Sequence, residues 1–120
     1  MMACGLVTTV CDAKAILSDF ITYHLSIGFN RIYVFLDAPC AVSESIVANH
    51  PQVVLYRHDA DLRQRWHDIQ RGKTDNLIAT AMDEVMARQE LNARLALEYA
   101  RRDGLDWLLH IDSDELFFCH

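Results

Sequence analysis

Two short runs constrain this chain more than anything else in it. Gly5 to Val10 and Arg31 to Leu36 are almost continuously apolar or β-branched, with no polar alternation to mark a wet face. Such runs read as strands buried on both sides, the kind found in parallel sheets covered by helices. Between them Ala13 to Ile27 places Ile16, Leu17, Phe20, Ile21, His24 and Ile27 at helical spacing, with Asp12 at the N-cap position and Gly28 as the stop. Strand, helix, strand is a βαβ unit, and the right-handed crossover rule then fixes its hand.

The same alternation continues. Asp37-Ala38-Pro39 breaks the second strand, a short helix is expected around Ser43 to Asn49, and Val53 to Tyr56 reads as a third strand. From Arg57 to Asp75 no period is clear, although Leu62, Trp66 and Ile69 mark one helical face. Helical spacing returns from Asp75 to Arg102 through Leu77, Ala81, Val85, Leu91, Leu95, Leu97 and Tyr99; Gly104 closes it before a strand from Asp106 to Ile111. The expected architecture is α/β with a mostly parallel sheet.

Composition removes several function classes. At 120 residues and 52% hydrophobic, with 23% charged, the chain suits one core. Eleven basic against 17 acidic residues give a net charge of −6, and no basic stripe is present to read nucleic acid. No apolar run spans a bilayer and no export signal opens the sequence, so a cytoplasmic location is the default expectation. Cys4, Cys11, Cys40 and Cys119 lack the spacing of a zinc or redox pair and read as buried thiols.

The chemistry gathers where the last strand ends. Trp107-Leu108-Leu109-His110-Ile111 runs straight into Asp112-Ser113-Asp114-Glu115. On an extended strand end residues two apart point the same way, so Asp112 and Asp114 can face one hard cation. Mg²⁺ or Mn²⁺ is commonly held by one or two carboxylates, with water and substrate phosphates completing the shell. A solvated acidic turn would leave the same Asp-x-Asp. In parallel sheets ligands bind beyond the carboxyl ends of the strands. Thr8, Thr9 and Asp12 follow the first strand, Asp37 the second, and the acidic group the last.

Taken together, Val7-Thr8-Thr9-Val10-Cys11-Asp12, Phe20-Ile21-x-Tyr23-His24-Leu25-x-Ile27-Gly28-Phe29, Ile32 to Asp37, Gln89 with Arg94, and Trp107 to Glu115 resemble the nucleotide-binding half of a GT-A glycosyltransferase. The likeness is to the family 2-like group that carries a YHL-IGF helix end and a terminal W-x-x-x-x-D-x-D-E. It implies a Rossmann-like three-layer sandwich, incomplete at its carboxyl end, that binds a nucleotide diphosphate sugar. It also implies transfer of that sugar to an acceptor hydroxyl, with UDP or GDP donors and Mn²⁺ or Mg²⁺ as cofactor. Carried over by position, Thr9 and Asp12 would lie beside base and ribose, Asp37 would hydrogen-bond the base, and Arg94 would reach toward the nucleotide. Asp112 would approach the ribose or a metal-bound water and Asp114 would be the direct metal ligand; no catalytic base is implied for this chain.

Plainer readings stand beside these. Asp12 serves as an N-cap, Asp37 as a turn residue, Arg94 as a solvated helical residue, and His24 as a helix-end residue satisfied by hydrogen bonding. Tyr23 and Trp107 read as packing residues. An aspartate-pair phosphatase would carry its motif after the first strand, and no phosphate loop of the GxxxxGK[ST] kind occurs. The alternative function is an inactive nucleotide-binding or assembly module. Leu116-Phe117-Phe118 would leave an apolar edge that favours self-association. Size-exclusion chromatography tests this edge: association is expected, and a clean monomer would count against it.

Overall fold

The computed structural model describes residues 2–10, 14–38, 40–71, 77–81 and 84–112. Along the chain these form β1 (Cys4–Val10), α1 (Lys14–Ser26), β2 (Arg31–Leu36), α2 (Ala41–Ala48), β3 (Val53–Arg57), α3 (Ala60–Gln70), α4 (Leu77–Ala81), α5 (Val85–Arg102) and β4 (Trp107–His110). The strands make one all-parallel sheet in the order β3-β2-β1-β4. Gly5 to Val10 lie opposite Arg31 to Leu36, while Cys4 to Val7 lie opposite Trp107 to His110. This is the α/β architecture expected, a partial Rossmann-like fold.

Alternation along the strands divides the core in two. Leu6, Val10, Ile32, Val34 and Leu36 pack against α1 and α2 through Leu17, Phe20, Ile21 and Val47. Val7, Tyr33 and Phe35 face the other way, onto Leu62 and Trp66 of α3 and Leu91, Leu95, Ala96 and Tyr99 of α5. Gly5 to Val10 is buried throughout, as a strand covered on both faces requires. Each fully buried Leu, Ile or Phe contributes about 1.5–3 kcal/mol relative to exposure.

Both longer helices stop by one device. After α1, Gly28 has φ +111°, its N–H bonds to the Leu25 carbonyl at 3.3 Å, and the Phe29 N–H bonds to the His24 carbonyl at 3.1 Å. After α5, Gly104 has φ +74°, with Gly104 N–H on Arg101 at 3.2 Å and Leu105 N–H on Ala100 at 2.9 Å. These are Schellman turns, and the positive φ explains glycine at both. The accompanying apolar contact is present each time: Phe29 stands edge-on to His24 at 5.5 Å, and Leu105 packs on the cluster that contains Ala100.

Each turn then delivers a clamp to the start of β1. Asn30 donates its N–H to the Cys4 carbonyl and accepts the Cys4 N–H on its side chain, both at 2.8 Å. Asp106 does the same with Ala3, again at 2.8 Å in both directions. Further along, Tyr33 donates its hydroxyl to Asp103 at 2.7 Å. That bond, with the neighbouring Arg102, holds the Asp103 carboxyl below the usual carboxylate range.

Several expectations change. The stretch from Arg57 onward is not featureless: it holds α3, with Asp59 accepting the Leu62 N–H at 2.9 Å as N-cap, and Leu62 and Trp66 buried. The single helix expected from Asp75 to Arg102 is two, because Glu84 adopts extended backbone (φ −121°, ψ 121°) and starts α5 afresh. Trp107 is no packing residue in these strands, being 63% exposed on edge strand β4. Ile16 and Leu97 also face solvent, each just off the buried stripe of its helix, as does Ile27 in the turn after α1. Cys4 and Cys40 are only half-buried, against the expectation of buried thiols. Asp12 and residues 113–120, including the Leu116 to Phe118 edge, lie outside the described residues. Among those described, no helix is long and apolar enough to cross a membrane.

His24 supplies a test of this packing. It is fully buried, donates Nδ1–H to the Phe20 carbonyl at 2.7 Å, and sits among Phe20, Tyr23 and Phe29. Burial pushes the imidazole below its ordinary range, with the Phe20 bond pulling the other way. Because the folded value is depressed, the stability from neutral His24 is present above about pH 6.5 and is lost as the pH falls below it. His24→Ala is expected to cost about 2 kcal/mol or more from the cavity alone. His24→Gln should in addition reduce the loss of stability between about pH 7.5 and about pH 5.5, measured by denaturant unfolding at each pH.

Candidate functional site

Strand order 3-2-1-4 places the reversal of winding between β1 and β4, and the crevice beyond the carboxyl ends of such strands is where α/β sheets bind ligands. The polar residues at those ends share one face. Thr9 has the parity of Val7, Asp37 that of Phe35, and Leu108 and His110 lead by the same alternation to Asp112. Thr9 and Asp37 meet α5 side chains directly. Extending the β1–β4 register by two residues sets Asp112 level with Thr9, while the Asp37 N–H bonds to the Val10 carbonyl at 2.8 Å. Residues far apart in sequence thus meet at one edge.

Helix α5 supplies the partners, one turn apart. The buried amide of Asn92 donates to Thr9 Oγ1 at 3.0 Å and accepts the Trp66 indole N–H at 3.0 Å. An indole N–H only donates, which fixes the orientation of the Asn92 amide. Four residues earlier, Arg88 meets Asp37 as a fork, Nε to Oδ1 at 2.6 Å and Nη2 to Oδ2 at 2.8 Å, and Nη1 donates to the Ala81 carbonyl at 2.8 Å. Their side chains are only 15% and 10% exposed. Arg88 and Asn92 stack on one helix face because residues four apart do so.

Arg94 lies elsewhere on α5. Two positions past Asn92 it is turned some 200° around the helix, and its guanidinium pairs with Glu90 at 3.6 Å. The guanidinium beside Asp37 is that of Arg88, which the sequence pattern did not single out. The signal available was its spacing: Arg88, Asn92, Leu95 and Tyr99 follow the inward stripe of α5. Asn92 was hidden for the same reason, as a polar residue on an apolar face. Asp12 and Asp114 lie outside the described residues, and Asp112 is exposed just past β4.

Beside this edge α4, α5 and His110 bound a cleft of about 650 Å³, with Thr80, Glu84, Gln89 and Glu90 on its polar rim. That volume is in the range of small-molecule sites. Among the described residues, no three His, Cys, Asp or Glu side chains converge to hold a metal. Of the expected metal pair only Asp112 is described; a hard cation there would take it together with water and ligand oxygens, which is how Mg²⁺ is commonly held.

The fold is a parallel α/β sheet with Thr9, Asp37 and Asp112 at its carboxyl edge. No protein-family model and no solved structure matches the chain. It is similar, 30% identical over 105 residues, to a glycosyltransferase-like protein of Arabidopsis thaliana. The match covers 81% of this chain and 23% of that protein, so the chain spans less than a quarter of the length of the relative.

The Thr9–Asn92–Trp66 relay can be tested directly. Asn92→Leu deprives a buried indole N–H and a buried hydroxyl of their partner and is expected to cost about 2–3 kcal/mol. Adding Thr9→Val should recover part of that loss. Denaturant unfolding of the two variants measures both.

Proposed function

We propose that this chain forms the nucleotide-binding part of a glycosyltransferase that takes its sugar from a nucleotide diphosphate donor and passes it to an acceptor hydroxyl. One observation supports the reading: a chain similar to a glycosyltransferase-like protein has Thr9, Asp37 and Asp112 at the carboxyl ends of β1, β2 and β4 in its parallel sheet. The resemblance to the GT-A family gives the finer roles. Thr9 and Asp12 border base and ribose, Asp37 accepts from the base, and Asp112 and Asp114 hold the diphosphate end through Mn²⁺ or Mg²⁺. Arg94 reaches toward the nucleotide from beside Glu90, with which its guanidinium pairs at 3.6 Å.

The chemistry follows from what breaks. Sugar transfer severs the bond between the anomeric carbon and a diphosphate, so negative charge grows on the leaving oxygen. A divalent ion bound at the carboxylates supplies Lewis-acid neutralisation of that charge. The protein's own part is to fix the donor, with the base at Asp37 and the diphosphate end at Asp112 and Asp114. Orientation of this kind lowers the entropic part of the barrier.

Calorimetric titration of UDP, GDP and their sugar conjugates, with and without Mn²⁺, tests the proposal. Binding is expected to need the metal and to weaken at least about tenfold in Asp114→Ala and in Asp112→Ala, a loss of about 1.4 kcal/mol or more. Absence of binding to every nucleotide would sink it.

A further inference from the structure

Arg88 is more than a tie between helix and strand. All three of its guanidinium nitrogens are engaged, two on the Asp37 carboxylate and one on the Ala81 carbonyl at the last residue of α4. A turn aspartate needs only water and its own backbone. Withdrawing an ion pair from water is costly unless its geometry is complete, and here it is built to be complete. The union of β2 with α5 is already secured by Phe35 and Tyr33 in the apolar cluster and by the Tyr33–Asp103 bond at the far end. What the fork adds is a fixed orientation for one carboxylate at the carboxyl end of β2.

An aspartate held in a guanidinium fork offers acceptors and no donor. Resting on the donor reading above, we propose that Arg88 is a positioning residue that holds Asp37 as an acceptor-only reader of the nucleotide base. Uracil and guanine present a ring N–H flanked by carbonyl, which such a carboxylate takes. Cytosine and adenine present a bare ring nitrogen at the same edge, an acceptor facing an acceptor. Mismatches of this kind are rejected strongly because the polar groups of the site are left unpaired. The fork therefore makes the donor a uridine or guanosine diphosphate sugar and sets its margin over the cytidine and adenosine counterparts.

The test is calorimetric titration of UDP, GDP, CDP and ADP, in Mn²⁺, into the full chain as wild type, Arg88→Lys and Asp37→Glu. Melting curves confirm that each variant is folded. Wild type is expected to prefer UDP or GDP. Arg88→Lys keeps the charge and loses the fork; it should bind the preferred nucleotide about tenfold more weakly and narrow its margin over CDP by a similar factor. Asp37→Glu keeps the carboxylate but moves it out of the fork's reach, and should also narrow the margin. It serves alone if Arg88→Lys does not fold. A merely structural fork would lower the melting temperature and leave the preference between bases untouched. Variants that keep the wild-type preference overturn the role of Arg88 and leave the donor reading intact; a wild type that binds no nucleotide overturns both.

Discussion

The structure depends on β1 being paired along both edges and covered on both faces. β2 lies along one side of it and β4 along the other, and its residues from Gly5 to Val10 are buried. A strand in that position penalises polar side chains, yet β1 holds Thr8 wholly buried with no hydrogen-bond partner for its hydroxyl among the described residues, and every layer is built outward from the strand. Gly5 shows how closely: a Cβ there would lie 2.5 Å from Leu105 Cδ1, so the loop that brings in β4 packs into space that glycine leaves. Thr9, the last but one residue of β1, differs in having its buried hydroxyl bonded by Asn92.

Strand entry is governed by how helices end. α1 and α5 finish in the same glycine turn, and each is followed within two residues by a side chain, Asn30 or Asp106, that bonds both ways with the opening of β1. The Tyr-His-Leu-x-Ile-Gly-Phe segment is accordingly a piece of structural chemistry. His24 supplies the carbonyl that the Phe29 N–H closes on, and its ring fills the space beneath that turn. The plainer reading of His24, as a helix-end residue satisfied by hydrogen bonding, is the one the structure bears out.

Legibility followed the strength of local signals. β1, β2, β3 and α1 were readable within a few residues because apolar runs and glycine stops are sequence-local. α3 was obscured because its exposed face carries Asp61, Arg63, Gln64, Arg65 and His67, leaving only Leu62, Trp66 and Ile69 to mark the buried side. The division between α4 and α5 was illegible, since no proline or glycine marks Glu84. In the site, Thr9, Asp37 and Asp112 were singled out by the rule that parallel strands expose their carboxyl ends together. Arg88 and Asn92 were not, because a residue whose partner lies 51 or 83 positions away announces nothing locally.

Sequence alone determined the α/β class, the burial of the first two strands, the helix stops and the clustering of carboxylates after the last strand. Each follows from side-chain periodicity or from the backbone freedom of one residue, and such properties need no knowledge of neighbours. The tertiary structure decided which cation meets Asp37, which amide joins Thr9 to Trp66, and which face of α5 looks onto the crevice. Those outcomes depend on the rotation of a helix over a sheet. That rotation is set by the packing of Leu91, Leu95 and Tyr99 as a group, and only once it is set do Arg88 and Asn92 fall over the strand ends.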